Sequence, residues 1–294
     1  MVPFLSMVAS IEYIERVIST YTLAEEANLE TAARVGNTIV VTPELGEDVL
    51  VAGDLHGHRP NFNAILKIAA LDDHPRRHLV VQEVCHGGPT YPSNGGCMSH
   101  SMLEDVAALK VKYPDRFHFI LGNHELAELT DFPIVKNQKM LNLFFRYGLQ
   151  EMYGPATEKV RQAYLGFLKS CPLAVRLPGG VLISHSLPEC LDQVGFDKGV
   201  LDRPLDFSDC RERGSVFTML WGRDYRSENA EIFARLVGAK VLIHGHDPCS
   251  QGYRVPNGLQ IIIDCSSKPA AYLLLPTDVE LSHAEVVKRV ALLP

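Results

Sequence analysis

Short apolar runs that end in polar, glycine-containing exits recur along the chain. Val40-Val41 and DVLVAG (48–53) read as strands, the second almost continuously apolar, as a strand covered on both faces should be. LVVQE (79–83), FHFILG (117–122) and AKVLIHGH (239–246) have the same character. LAVRL-PGG-VLISH (173–185) predicts a hairpin. YRVPNGLQIIID (253–264), with its Asn257-Gly258 turn, and AAYLLL (270–275) predict closing antiparallel strands.

Helical spacing fills the gaps. Residues 8–34 mix apolar and acidic positions without Pro or Gly and predict an N-terminal helical extension. Pro60 suits the first turn of a helix in which Phe62, Ile65, Leu66 and Ala69 share a face. Ser101-x-x-Glu104 has the form of a capping box opening a helix to about Lys112. KNQKMLNLFFRYG (136–148) and TEKVRQAYLGFLKS (157–170) are amphipathic, and AEIFARLV (230–237) stops at Gly238. Strands and helices alternate in the first half and hairpins dominate the second, which predicts a layered α/β sandwich with mixed sheets. The expected division is an extension over 1–45 and a single domain over 46–294, since no composition break or repeat divides the rest.

Charge and composition narrow the function. A formal net charge of −7 argues against a nucleic-acid or anionic-membrane partner. No apolar run approaches the 18 or so residues of a membrane span. The start, MVPFLSMVASIEYIERV, lacks a basic region and meets Glu12 early, so no signal peptide is expected. Seven scattered cysteines without a Cys-x-x-Cys pair predict reduced thiols in a cytoplasmic protein. Oligomeric state is not legible.

Candidate chemistry gathers at the strand exits: Asp54 and His56, Glu83, Asn123 and His124, His185, and His246. Loops at the carboxyl ends of strands build the sites of α/β folds. An Asp after one strand is ordinarily a turn former, and a lone His on an apolar strand is ordinarily structural. Five coincidences of position and residue type instead predict a divalent-metal site of carboxylate, imidazole and amide oxygen. A carboxylate shared by two ions would set them about 3.5–4 Å apart.

In order and spacing, GDLHG (53–57), GNHE (122–125), His185 in ISHSLP and HGHDP (244–248) resemble the calcineurin-like metallophosphoesterases, in particular their serine/threonine phosphoprotein phosphatase branch. The resemblance runs from about residue 48 to 275. It implies an α/β/β/α sandwich and two divalent ions (Mn, Fe or Zn). Asp54 and His56 would bind the first ion; Asn123, His185 and His246 would bind the second. His124 would be the general acid, and Arg223 in LWGRD would hold the substrate phosphate. His246 rather than His244 matches the family's ligand position, and His58 is expected at the rim.

One loop departs from the pattern. Where the family has Gly-Asp-x-x-Asp-Arg-Gly, this chain has QEVCHGG (82–88). Glu83 keeps the charge of the bridging Asp with a reach longer by roughly 1–1.5 Å, and Gly87 and Gly88 are expected to supply the flexibility this needs. His86 replaces the carboxylate that orients the general acid. It is retained as an active-site residue that donates, accepts or serves as an acid. Gly87 removes a bidentate arginine, for which Arg59 is a candidate substitute. The following PTYPSNGGCMSH (89–100) is expected as a cover over the mouth, with Cys85 and Cys97 as ordinary thiols. The implied function is a dinuclear metal-dependent phosphomonoesterase acting on phosphoserine or phosphothreonine protein. The alternatives are a hydrolase of dinucleoside polyphosphates or other small phosphoesters, or a catalytically weakened metal-binding scaffold that recognises phosphorylated partners.

Overall fold

The computed structural model describes residues 8–294; the first seven residues of the expected N-terminal extension lie outside the described residues. In chain order, α1 (Ile11–Glu30), β1 (Arg34–Val35) and β2 (Thr38–Val40) precede the alternating half: β3 (Asp48–Asp54), α2 (Arg59–Ala69), β4 (Arg77–Gln82), α3 (His100–Lys112), β5 (Phe117–Ile120) and α4 (Asn123–Thr130). A small hairpin, β6 (Val135–Lys136) and β7 (Lys139–Met140), leads into α5 (Leu141–Tyr153) and α6 (Thr157–Ser170). Then come β8 (Ala174–Leu177), β9 (Val181–Ser184), α7 (Phe207–Cys210), α8 (Ser215–Trp221), α9 (Ser227–Val237) and β10 (Val241–His244). The chain closes with β11 (Tyr253–Arg254), β12 (Gln260–Ile263), β13 (Ala271–Pro276), α10 (His283–Val287) and β14 (Val290–Leu292).

Two mixed sheets stack face to face. One runs β1-β2-β8-β9-β10-β12-β11, the other β14-β13-β3-β4-β5. The alternation along each strand shows why four layers result. Val49, Val51 and Val80 join Ile183, Val241, Ile243 and Ile263 in a core between the sheets. Their neighbours Leu50, Ala52, Leu79, Val81, Leu182 and Leu242 pack outward with helix residues such as Phe62, Ile65 and Phe233. Both faces of each central strand are covered, which is the reason these runs are apolar without interruption. The expected mixed-sheet α/β/β/α sandwich is the observed fold.

Several local expectations are corrected. The helix after loop 89–99 starts at His100, so Ser101 lies inside its first turn and its hydroxyl donates to the Met98 carbonyl; no side-chain cap forms. Glu104 instead accepts from His100 Nδ1 at 2.9 Å and from the hydroxyls of Tyr13 and Tyr153. The first residues of KNQKM form the tip of the β6–β7 hairpin, with Asn137 and Gln138 at φ +50° and +62°, the left-handed conformations that two-residue hairpin loops require. The closing strands separate: β12 pairs parallel with β10 and antiparallel with β11, while β13 joins the other sheet antiparallel to β3.

The sheets meet at the ends of β3 and β12. Asp54 and Asp264 form an isolated parallel bridge, and the Cys265 amide donates to the Asp54 carbonyl at 2.9 Å. A Cβ on Gly53 would stand 2.1 Å from the Ile263 carbonyl oxygen, so only glycine lets the strands approach there.

At the opposite end of β4 and β5, His78 Nδ1 and His118 Nε2 lie 2.9 Å apart in the core. Burial lowers the pKa of His78, and burial together with the nearby Lys110 and His78 holds His118 well below the usual imidazole value of 6.5. Both rings therefore stay neutral in the fold, whereas the unfolded chain takes up protons below that value. Stability present at pH 7.5 is expected to fall with pH, by up to about 1.4 kcal/mol per pH unit for each group. Urea unfolding at pH 7.5 and 5.5 measures the loss. His118→Leu should narrow the difference, and an unchanged difference would place the acid sensitivity elsewhere.

Candidate metal centre

Three of the five exits, those after β3, β4 and β10, turn their side chains back over the sheet ends by a strained backbone. His56, Glu83, His86 and His246 adopt φ values of +41°, +43°, +63° and +69°, a region that costs non-glycine residues about 1–3 kcal/mol and persists where surroundings enforce it. Asp54 closes β3, Glu83 follows β4, Asn123 and His124 open α4, His185 follows β9 and His246 follows β10.

These side chains converge around Glu83, which is almost completely buried. Its Oε1 lies 3.0 Å from His56 Nε2, and its Oε2 lies 2.9 Å from His185 Nε2. Asn123 Oδ1 stands 2.8 Å from both His185 Nε2 and His246 Nδ1. Asp54 Oδ1 lies 3.7 Å from His185 Nδ1 and has no hydrogen-bond partner. His124 Nε2 is 3.8 Å from Glu83 Oε1. Two triplets of mutually close donor atoms share Glu83: His56, Glu83 and His124, and Asp54, Glu83 and His185.

The outer nitrogens of the imidazoles fix how they face the cluster. Nδ1–H of His56 donates to the Cys85 carbonyl at 3.0 Å, Nδ1–H of His185 to Gln82 Oε1 at 2.9 Å, and Nε2–H of His246 to the Trp221 carbonyl at 3.3 Å. Each ring then turns its other nitrogen inward, the orientation that metal-ligating histidines take. Gln82 is itself held by donating from Nε2 to the Ala52 carbonyl at 3.1 Å.

A divalent ion fits this arrangement. The inward Nδ1 lone pair of His246 faces the acceptor Oδ1 of Asn123 at 2.8 Å, a contact that a positive centre between the partners relieves, and Nε2 of His185 faces Glu83 Oε2 and Asn123 Oδ1, where a cation would take the place of a proton. Electrostatics agree. Burial and the neighbouring Glu83 push Asp54 up to about 7, whereas a cation between the two carboxylates would reverse that repulsion. Burial opposes ionisation of Glu83, yet His185, His124 and His56 hold it well below the usual carboxylate range. Against burial, Glu83 holds His56 up at about 10 and, with Asp54, raises His185, so each of these two rings holds on its inward nitrogen a proton that a bound cation would displace. Burial lowers His246, with His185 and Arg223 adding to the effect.

The remaining expected residues are placed less centrally. Arg223 lies at the rim, half exposed, with Nε donating to Asp247 Oδ1 at 2.9 Å and its amide to Glu189 at 2.6 Å. Arg59 is not gathered into the cluster: its guanidinium pairs with Asp105 and Ser101 of α3 and lies over Phe62. His58 caps α2 by accepting from the Asn61 amide. His244 Nδ1 lies against the Ser184 carbonyl at 3.1 Å, behind the site.

Loop 82–88 corrects one expectation. Gly87 and Gly88 are close-packed rather than flexible: a Cβ on Gly87 would stand 2.2 Å from the His56 carbonyl, and one on Gly88 2.5 Å from that of Gly57. No arginine fits at 87 without separating the two loops. Segment 89–99 is fastened to α5: the Cys97 amide donates to the Phe144 carbonyl, and Asn94 Nδ2 to that of Tyr147. The Cys97 thiol donates to the Gly87 carbonyl, and Cys85 is a buried thiol.

Residues 48–250 match the family model described as calcineurin-like phosphoesterase. The chain belongs to that family. It is 24% identical over 243 residues, 76% of its length, to serine/threonine-protein phosphatase T of Trypanosoma brucei brucei, and covers 46% of that protein. A protein named "Probable serine/threonine-protein phosphatase" from Encephalitozoon cuniculi is 23% identical over 80% of the chain and 52% of its own length. The chain thus spans about half the length of the curated relatives it matches. A protein serine/threonine phosphatase from Saccharomyces cerevisiae shares the fold with TM-score 0.61 at 15% identity, over 95% of this chain and 88% of that one.

Sequence reasoning missed three contributors. Gln82 and Glu125 were visible but sat beside louder residues. Glu125 Oε1 accepts from the Val84 and Cys85 amides at 3.0 and 2.9 Å, which pins the loop that carries Glu83. Gly245 leaves the space that Asp54 Oδ1 fills, 2.1 Å from where its Cβ would be. Gly245→Ala is therefore expected to displace Asp54 and weaken manganese binding by about 10–100-fold, the scale typical of lost support around a ligand. Calorimetric titration with Mn²⁺ measures this, and unchanged affinity would remove Asp54 from the ligand set.

Proposed function

We propose that this chain hydrolyses phosphomonoesters with two bound divalent ions, manganese, iron or zinc, and that its substrates are phosphoserine or phosphothreonine proteins. The observation that carries the reading is the position of Glu83 where two donor triplets meet, His56–Glu83–His124 and Asp54–Glu83–His185; grouping Asp54 with His56, and keeping His124 as the acid, follows the family resemblance. Asp54, His56 and Glu83 would hold one ion, and Glu83, Asn123, His185 and His246 the other. When bound, such ions supply an acidified water as nucleophile and offset charge on the phosphate.

The chain's own groups orient and protonate. His124 stands beside His56, with ring centroids 4.7 Å apart, and directs Nε2 toward Glu83. From there it would hold the proton needed by the leaving oxygen. Arg223 would position the substrate phosphate from the rim. The names of the Trypanosoma and Encephalitozoon relatives support the substrate class. All the assigned donors lie in 46–294, which supports that segment as the catalytic unit, to which the 1–45 extension adds α1 against α3 and α6 and the edge strands β1 and β2. Seven unpaired cysteines fit a reducing compartment, and we assign the cytoplasm. No helix among the described residues is long and apolar enough to cross a membrane.

Elemental analysis combined with hydrolysis of p-nitrophenyl phosphate and phosphopeptides in added manganese tests the proposal. About two ions per chain are expected, with Glu83→Ala and Asn123→Ala each lowering turnover about 100-fold or more. Glu83→Ala should lose metal from both positions. Full metal and activity in that variant would refute the shared carboxylate, and a fully loaded wild-type chain without turnover would favour a phosphate-recognising scaffold.

A further inference from the structure

His86 occupies the position where a carboxylate would orient the general acid, and its surroundings indicate what replaces that carboxylate. Its side chain is fully buried. Nδ1 lies 3.0 Å from Nδ1 of His124, and Nε2 lies 2.9 Å from Oε1 of Glu128, about one and a half turns beyond Asn123 on α4. Glu128 is also fully buried and receives two further donors: Asn142 Nδ2 on Oε1 at 3.1 Å and the Tyr164 hydroxyl on Oε2 at 3.0 Å. Three donors converging on two oxygens match an ionised carboxylate, which only accepts.

The imidazole is held as firmly as the acid. The His86 amide donates to Ser99 Oγ at 3.1 Å, and the ring meets Phe145 edge-on with centroids 5.4 Å apart. With Nε2–H committed to Glu128, the Nδ1 lone pair of His86 accepts from Nδ1–H of His124. His124 Nε2 is thereby left pointing into the site.

We propose that Glu128 is a positioning residue: its carboxylate fixes the His86 imidazole, which in turn orients His124 with Nε2, the atom from which the proton is transferred, directed into the site. The inference rests on the hydrolase reading above. As the bond from phosphorus to the leaving oxygen breaks, that Nε2 proton moves to the oxygen, and His124 keeps its Nδ1 proton against His86. The missing acidic residue of loop 82–88 is thus supplied from α4, one imidazole further away.

Glu128→Gln retains shape and hydrogen-bonding atoms but removes the charge, so a purely structural role would leave it nearly silent. With added manganese, kcat on phenyl phosphate is expected to fall about 10–100-fold with KM changed less than about twofold. The loss on p-nitrophenyl phosphate, whose leaving group needs less help from a proton, should be smaller. In the His86→Asp background an Asp oxygen takes roughly the place of Nδ1, and Glu128 becomes an unpaired like charge. There, Glu128→Gln should raise kcat. Equal losses on both esters, or a loss in both backgrounds, would overturn the relay.

Imidazole ¹⁵N spectra of zinc-loaded protein supply a readout independent of turnover. Neutral His86 should carry its proton on Nε2, and a proton on Nδ1 alone would overturn the proposal. If fully loaded wild type hydrolyses neither ester, the hydrolase reading fails, while the spectra still decide whether the Glu128–His86–His124 chain exists.

Discussion

Burying Asp54 and Glu83 together, with four imidazoles turned toward them, is the constraint on which the rest of this molecule depends. Unpaired buried carboxylates are costly, and burial together with repulsion from Glu83 already raises Asp54. The sandwich makes the arrangement tolerable by fixing every partner from behind. Gln82, the Cys85 carbonyl and the Trp221 carbonyl hold the outer nitrogens of the rings, while Glu125 holds the loop beneath Glu83. Left-handed backbone at His56, Glu83 and His246 is strain spent on aiming these groups, and the surrounding layers keep it in place.

The close contacts between loops follow from the same need. Gly57 meets Gly87 and Gly88 backbone to backbone, Gly53 admits Ile263, and Gly245 makes room for Asp54. These glycines act as spacers of zero thickness that bring five separate exits within reach of one carboxylate.

Much of this was legible in the sequence because strand exits are local events. An apolar run followed by Asp, His or Asn announces both the strand and the direction of its final side chain, and GDLHG with GNHE indicated which exits belong together. What escaped depends on distant partners. Ser101 and Glu104 have capping-box spacing, but Tyr13 on α1 and Tyr153 on α5 claim Glu104, and the helix starts before Ser101. KNQKM was absorbed into a helical period although its two central residues take hairpin-loop conformations. Glu128 gives no signal of its own: it becomes informative only once His86 is seen against it. Gly87 read as flexibility because close packing against His56 is invisible in one dimension.

Asn123, His124, Glu125 and Glu128 all ride on α4, a helix of eight residues. A single rigid rod therefore sets the proposed ion ligand, the proposed acid, the anchor of loop 82–88 and the carboxylate behind His86. Whatever shifts that rod, whether pressure from α6 and α8 beside it or a substitution in their shared packing, moves all four in concert. Mutations remote from the cations would then register as a graded, collective detuning of the centre and not as the loss of any one contact.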